Sequence, residues 1–215
     1  MGGTSYAILE SMNEVIIDGC SLSISAVVAV ARHKFPVRLD PDAELRMQAS
    51  REVVEFAVKK KQVKYGLTTG FGKFCNVIIS EEDNARLQKN LIMSHACGQG
   101  EPFAPEIVRA MMLLRANALA VGNSGVRPVV VQRILQLINE DIVPIVPEKG
   151  SLGASGDLAP LAHIALVLIG MGEALYKGAK MTGARALSEA NIQPLVLEAK
   201  EGLALINGTQ AMAAL

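Results

Sequence analysis

Cysteine is scarce and unpatterned in this chain. Cys20, Cys75 and Cys97 are an odd, widely spaced set among 215 residues, with no CxxC pair and no Cys/His cluster at zinc spacing. A disulfide framework and a structural zinc site are thereby excluded as expectations, and no metal is expected. Free thiols point to a reducing compartment, the cytoplasm. Charge of one sign is also lacking: 21 basic residues face 21 acidic ones. That argues against a nucleic-acid partner and gives no sign of electrostatic attachment to a membrane. Long hydrophobic runs are missing too. The longest, Leu158 to Met171, is interrupted by His163 and falls short of the roughly 20 residues a membrane span needs, so it reads as a buried helix. Residues 1–10 lack the basic and then apolar pattern of a secretory signal. There is no internal repeat and no low-complexity linker.

What is present is apolar and mainly helical. Half of the residues are hydrophobic, enough for a sizeable core. Residues 24–31 are an apolar stretch that suits a helix or a strand. Asp40-Pro41 opens a helix, with a capping acid followed by a proline whose missing N–H costs nothing there. Leu45, Ala49, Val53 and Phe56 follow at helical spacing and are expected to form its buried face. Ser80 to Asp83 is a capping-box variant before a helix that carries Leu87, Leu91 and His95 on one side. Pro105 and Pro128 begin two more helices, through about Val121 and Asn139. Residues 140–156 read as a long loop, after which Asp157 caps the apolar helix running to about Gly170. Strand patterns are weak, confined to Val143–Val146 and Pro194–Leu197. A further helix begins at Thr209 and has no stop signal before Leu215, which leads us to expect a truncated domain spanning residues 1–215.

Gly153-Ala-Ser-Gly-Asp157 is the most informative segment. It fails as a serine-hydrolase elbow, because Asp157 stands where G-x-S-x-G needs glycine and no strand clearly precedes it. Gly70-Phe-Gly-Lys73 similarly fails as a phosphate loop. The spacing of Ala154, Ser155 and Gly156 suits a backbone cyclisation. The Gly156 nitrogen attacks the Ala154 carbonyl, and two waters leave, one of them carrying the Ser155 hydroxyl. Gly156 lets the chain compress, Ala154 keeps the ring uncrowded, and the product is an exocyclic methylidene. Taken alone, the three residues favour the plainer reading of a glycine-rich loop.

The surrounding sequence alters that balance. Residues 146–163, VPEKGSLGASGDLAPLAH, resemble the signature of the aromatic amino-acid ammonia-lyases over their whole length. Residues 65–72 (YGLTTGFG), 90–98 (NLIMSHACG) and 200–210 (KEGLALINGTQ) resemble three further motifs of that family, in the same order. The resemblance covers about residues 40–215. It implies a mainly α, fumarase/aspartase-like fold with a few short strands. The electrophile would be 4-methylidene-imidazol-5-one, formed autocatalytically from Ala154, Ser155 and Gly156.

The resemblance also assigns roles. Tyr65 is the base for the substrate β-proton; with a free phenol pKa near 10, it needs a setting that favours the phenolate. Asn207 lies beside the electrophile, although alone it reads as a turn residue before Gly208. His95 binds the substrate side chain; alone it reads more readily as a core histidine. The Ser94-His95 pair resembles the histidine-specific members, for which elimination of ammonia from L-histidine gives urocanate. An imidazole that recognises an imidazole by hydrogen bonding rejects analogues lacking one. His163 is expected in the core, and Cys97 has no partners for a nucleophile's role. Family chains are longer and assemble as homotetramers, so this fragment is expected to self-associate and to be inactive alone. A tyrosine or phenylalanine ammonia-lyase, an aminomutase, or a non-catalytic folding fragment are the alternatives.

Overall fold

The computed structural model describes residues 14–60, 81–151 and 156–215. It opens with strand β1 (Val15–Ile17), helix α1 (Ile24–His33) and strand β2 (Val37–Leu39), and the two strands pair in parallel with Val15 opposite Val37. The stretch that suited either a helix or a strand is therefore helical. Ser23 settles it by accepting the Ala26 N–H at 3.2 Å, which caps α1.

Helix α2 (Pro41–Lys59) starts as its sequence predicts: the Asp40 carboxylate accepts from the N–H groups of Asp42 and Ala43. Its buried face differs from the predicted one. Leu45, Val53 and Phe56 are 62%, 69% and 56% exposed, whereas Ala43, Met47, Arg51, Val54 and Ala57 face inward. Helical spacing identifies a stripe but not what covers it, and two stripes compete on this helix.

Helix α3 (Glu81–His95) is followed by β3 (Gln99–Pro102), α4 (Pro105–Ala120), α5 (Pro128–Asn139), β4 (Val143–Pro144) and β5 (Pro147–Lys149). The two proline starts hold. The expected 140–156 loop contains β4 and β5; β5 pairs antiparallel with β3. Helix α4 is the hub, packing against α1, α2 and α5 and burying Val108, Met111, Met112, Leu113, Ala116 and Leu119.

Helix α6 (Leu158–Leu168) is the apolar helix expected from the sequence. Strands β6 (Glu173–Tyr176) and β7 (Ala179–Thr182) form a hairpin that β4 extends, and α7 (Gly183–Glu189), α8 (Glu201–Ile206) and α9 (Gln210–Ala214) complete the chain. The expected strand at Pro194–Leu197 does not form. Pro194 offers no N–H, and the backbone there is held by isolated bonds instead: Leu195 N–H to the Leu168 carbonyl at 2.8 Å, and Arg127 to the Val196 carbonyl at 2.7 Å. Among the described residues, no helix is long and apolar enough to cross a membrane.

Candidate active site

Gly156 and Asn207 meet across Gly208. Gly156 sits at φ +96°, a conformation that disfavours any side chain, and a Cβ there would collide with the Gly208 carbonyl. The next residue closes the contact: the Asp157 N–H donates to the Gly208 oxygen at 2.6 Å. Ala154 and Ser155 lie outside the described residues, as does Tyr65 with its glycine-rich loop.

Asp157 stands at the N-terminus of α6 but does not cap it. Its buried carboxylate accepts from the Ser151 hydroxyl at 2.6 Å and from the Met212 N–H at 3.0 Å. The Met212 N–H lies in the first turn of α9, where amides have no intrahelical acceptor. Asp157 therefore satisfies the start of a different helix and ties residue 151 to it. Both flanks of residues 152–155 are thus fastened to the segment after Asn207.

Asn207 ends α8, exposed, with its N–H on the Leu203 carbonyl at 3.1 Å. The helix that presents it rests on charges that sequence reasoning did not single out. Glu201 is fully buried and accepts from the Arg127 backbone N–H (3.1 Å), from two Arg127 guanidinium nitrogens (both 2.8 Å) and from the Glu198 N–H (2.8 Å). The bond to Glu201 raises the Arg127 pKa above its ordinary value. Arg51 joins Glu198 at 2.6 Å and the Ala199 carbonyl at 3.0 Å. Gln88 of α3 accepts the Gly202 N–H at 2.9 Å, which ties α3 to α8.

Arg115 of α4 lies on the inner side of the same corner, 7% exposed. It donates to the Ala204 carbonyl and, at 3.3 Å, to Gln210 Oε1, and its buried Nε has no partner among the described residues. Burial lowers its pKa to about 10. The sequence did carry a signal for it: a lone arginine in the mostly apolar stretch Met111 to Ala120, whose one other polar residue is Asn117.

His95 does not point into the core. It is half-buried at the end of α3 beside an exposed Ser94, and Asn84, Gln88, Leu91 and Ile92 form the inward face. Its Nδ1 lies 2.8 Å from the Leu91 carbonyl and 3.1 Å from the Ser94 hydroxyl. A carbonyl only accepts, so the neutral ring carries its proton on Nδ1, and Nε2 is an acceptor with no partner among the described residues. His163, on α6, is half-buried rather than enclosed, and its Nε2 accepts the Gly98 N–H at 3.1 Å. That bond fastens the chain just after His95 to the helix just after the Ala-Ser-Gly segment. Among the described residues no group of three or more His, Cys, Asp or Glu side chains is placed to hold a metal ion.

Comparison with known proteins gives this arrangement its context. The family model described as aromatic amino acid lyase matches residues 22–215. A histidine ammonia-lyase of Caldanaerobacter subterraneus subsp. tengcongensis is 58% identical over 204 residues, 95% of this chain and 40% of that protein. Among solved structures, a histidine ammonia-lyase from Trypanosoma cruzi superposes with a TM-score of 0.86 at 40% identity, covering 94% of this chain and 39% of that one. A tyrosine aminomutase from Streptomyces globisporus gives a TM-score of 0.86 at 41% identity, covering 94% and 38%. The chain thus spans about 40% of the length of the curated relatives it matches. With the family model covering nearly all of it and this helical fold shared by ammonia-lyases and aminomutases, the chain belongs to the aromatic amino acid lyase family.

Proposed function

We propose that this chain is the electrophile-bearing part of a histidine ammonia-lyase, which eliminates ammonia from L-histidine to give urocanate. The observation that carries the reading is the backbone cradle at Gly156. This glycine is held at positive φ, has no room for a Cβ, and is followed by a main-chain bond to Gly208, one residue from Asn207. Those features suit a loop compressed for ring closure, so the residues present fit a methylidene-imidazolone made from Ala154, Ser155 and Gly156. Once formed, that group supplies an electrophilic carbon that turns the substrate amine into a better leaving group.

The chain's own residues do the rest. Tyr65 accepts the β-proton, which requires its phenolate to be favoured by its surroundings. The Asn207 amide donates to charge that develops beside Gly156. The lone pair on His95 Nε2 accepts the N–H of the substrate imidazole. The phenyl ring of phenylalanine offers nothing to that lone pair, so the site discriminates by leaving His95 unpaired. No metal enters this scheme. The whole protein works as a cytoplasmic homotetramer; exposed Leu45, Val53, Phe56, Met212 and Leu215 offer apolar surface for self-association.

The test is intact mass together with product analysis. The full-length protein should weigh about two waters less than its sequence, absorb in the near ultraviolet, and convert L-histidine to urocanate in preference to L-tyrosine or L-phenylalanine. An unmodified mass, or a preference for tyrosine, would overturn the reading; a β-amino acid product would move the protein to the aminomutases.

A further inference from the structure

Among the described residues Arg115 is a buried cation without a counter-ion. Its guanidinium touches the Ala204 carbonyl and Gln210 Oε1, both neutral, and burial lowers its pKa. Replacing such a charge with an apolar side chain is often neutral or favourable for stability, so its presence calls for another reason. Its position offers one. Ala204 lies in α8 before Asn207, and Gln210 begins α9 after it, so one rigid fork grips both sides of the Asn207-Gly208-Thr209 corner. Gly208 fills the space between: a Cβ there would lie 2.5 Å from Arg115 Nη1 and would collide with Gln210, while its carbonyl oxygen receives Asp157 and abuts Gly156.

We propose that Arg115 is a positioning residue for the lyase reaction: from α4 it fixes the corner that holds Asn207 and the backbone against which Gly156 closes. This rests on the function proposed above. The guanidinium works through its two-pronged shape: a planar fork reaches Ala204 and Gln210 together, whereas a lysine ammonium, a compact point charge on a flexible stem, does not hold both in one fixed geometry. A misplaced corner moves Asn207 relative to the electrophile without removing any group that touches the substrate side chain, so the loss falls on kcat and not on KM.

The experiment uses the full-length enzyme with Arg115→Met, Arg115→Lys and Gln210→Leu, reading mass loss, near-ultraviolet absorbance, kcat and KM for L-histidine. Arg115→Met should lower kcat per formed electrophile by about 100-fold, the scale of a small misplacement at a reacting centre, with KM within about two-fold. Arg115→Lys should recover part of that loss, and Gln210→Leu should fall between Arg115→Lys and the parent. If Arg115→Met fails to fold, the other two variants decide. Parent-like kcat per electrophile in both, or in a folded Arg115→Met, overturns the proposal, as does a change confined to KM. A parent that itself lacks the mass loss and turns over none of the three amino acids refutes the lyase reading instead.

Discussion

The two walls of the candidate site are built by different means. The wall around Gly156 and Asn207 is held by partners distant in sequence: Asp157 with Met212, Arg115 with Gln210, Glu201 with Arg127. Its anchoring side chains are buried and several carry charge, so removing one partner strands another in a medium of low dielectric. The His95 wall is mostly local. His95 bonds to residues one and four positions back, Ser94 donates to the Leu91 carbonyl three positions back, and the long-range hydrogen bonds of this helix and the residues just after it, among the described residues, are Gly98 to His163 and Gln88 to Gly202. The contrast separates two jobs. Geometry that must not vary is written into the tertiary structure, while the residue we propose to meet the substrate side chain sits half-exposed on a helix end, where its identity can change without disturbing the fold.

The sharpest way to break this contrast is Gly156→Ala. The added Cβ meets the Gly208 carbonyl and the backbone must hold φ +96°, so the ring should not close and the full-length protein should keep its unmodified mass. Turnover should fall to background. An alanine variant that still loses two waters would show that the cradle is not the closing geometry. His95→Phe should have a smaller and different effect. Mass loss should be complete, since no bond to the Gly156 wall involves His95. The value of kcat/KM for L-histidine should fall on the order of 100-fold, about 2.7 kcal/mol of transition-state binding, and discrimination against L-phenylalanine should shrink. An unchanged order of preference among the three amino acids would remove His95 from substrate recognition.

This contrast also explains what could be read in the sequence. Asp40-Pro41, Pro105 and Pro128 mark helix starts because capping and proline chemistry are local, and all three helices begin there. The motif residues Gly156, Asn207 and His95 could be singled out as candidates for a related reason, since each belongs to a short run with its own pattern. The burial of α2 was not. Leu45, Val53 and Phe56 form as regular a stripe as Ala43, Met47 and Val54, and the choice between them depends on α4 and α5, far along the chain. Asp157 resembles a local cap because aspartate before an apolar run usually is one; its real donors lie 6 and 55 residues away. The strands are two to four residues long and, the β6–β7 hairpin aside, pair with distant partners, too short for an alternating pattern to emerge.

The smallest expected effect concerns His163, the link between the two walls. Its Nε2 accepts the Gly98 N–H only while that nitrogen is unprotonated, and burial lowers its pKa below the usual histidine value. The unfolded chain, with a histidine pKa near 6.5, therefore takes up the proton first as pH falls. Stability from this group is fully present above about pH 6.5 and is lost as pH falls through the folded pKa, after which both states are protonated. The amount is that of one partly exposed hydrogen bond, about 1 kcal/mol, or roughly 2–4 °C in Tm for a chain of this size. In His163→Gln the amide oxygen reaches the place of Nε2 and can still accept from Gly98 but does not titrate. The variant should be less stable than the parent at pH 7.5, and the gap should close or reverse by pH 5.5. Because every other ionisable group is common to both proteins, the measured quantity is the difference between the two Tm profiles. A difference that stays constant across this range would show that the imidazole is a spacer between the walls and that its Nε2 carries no pH-sensitive bond.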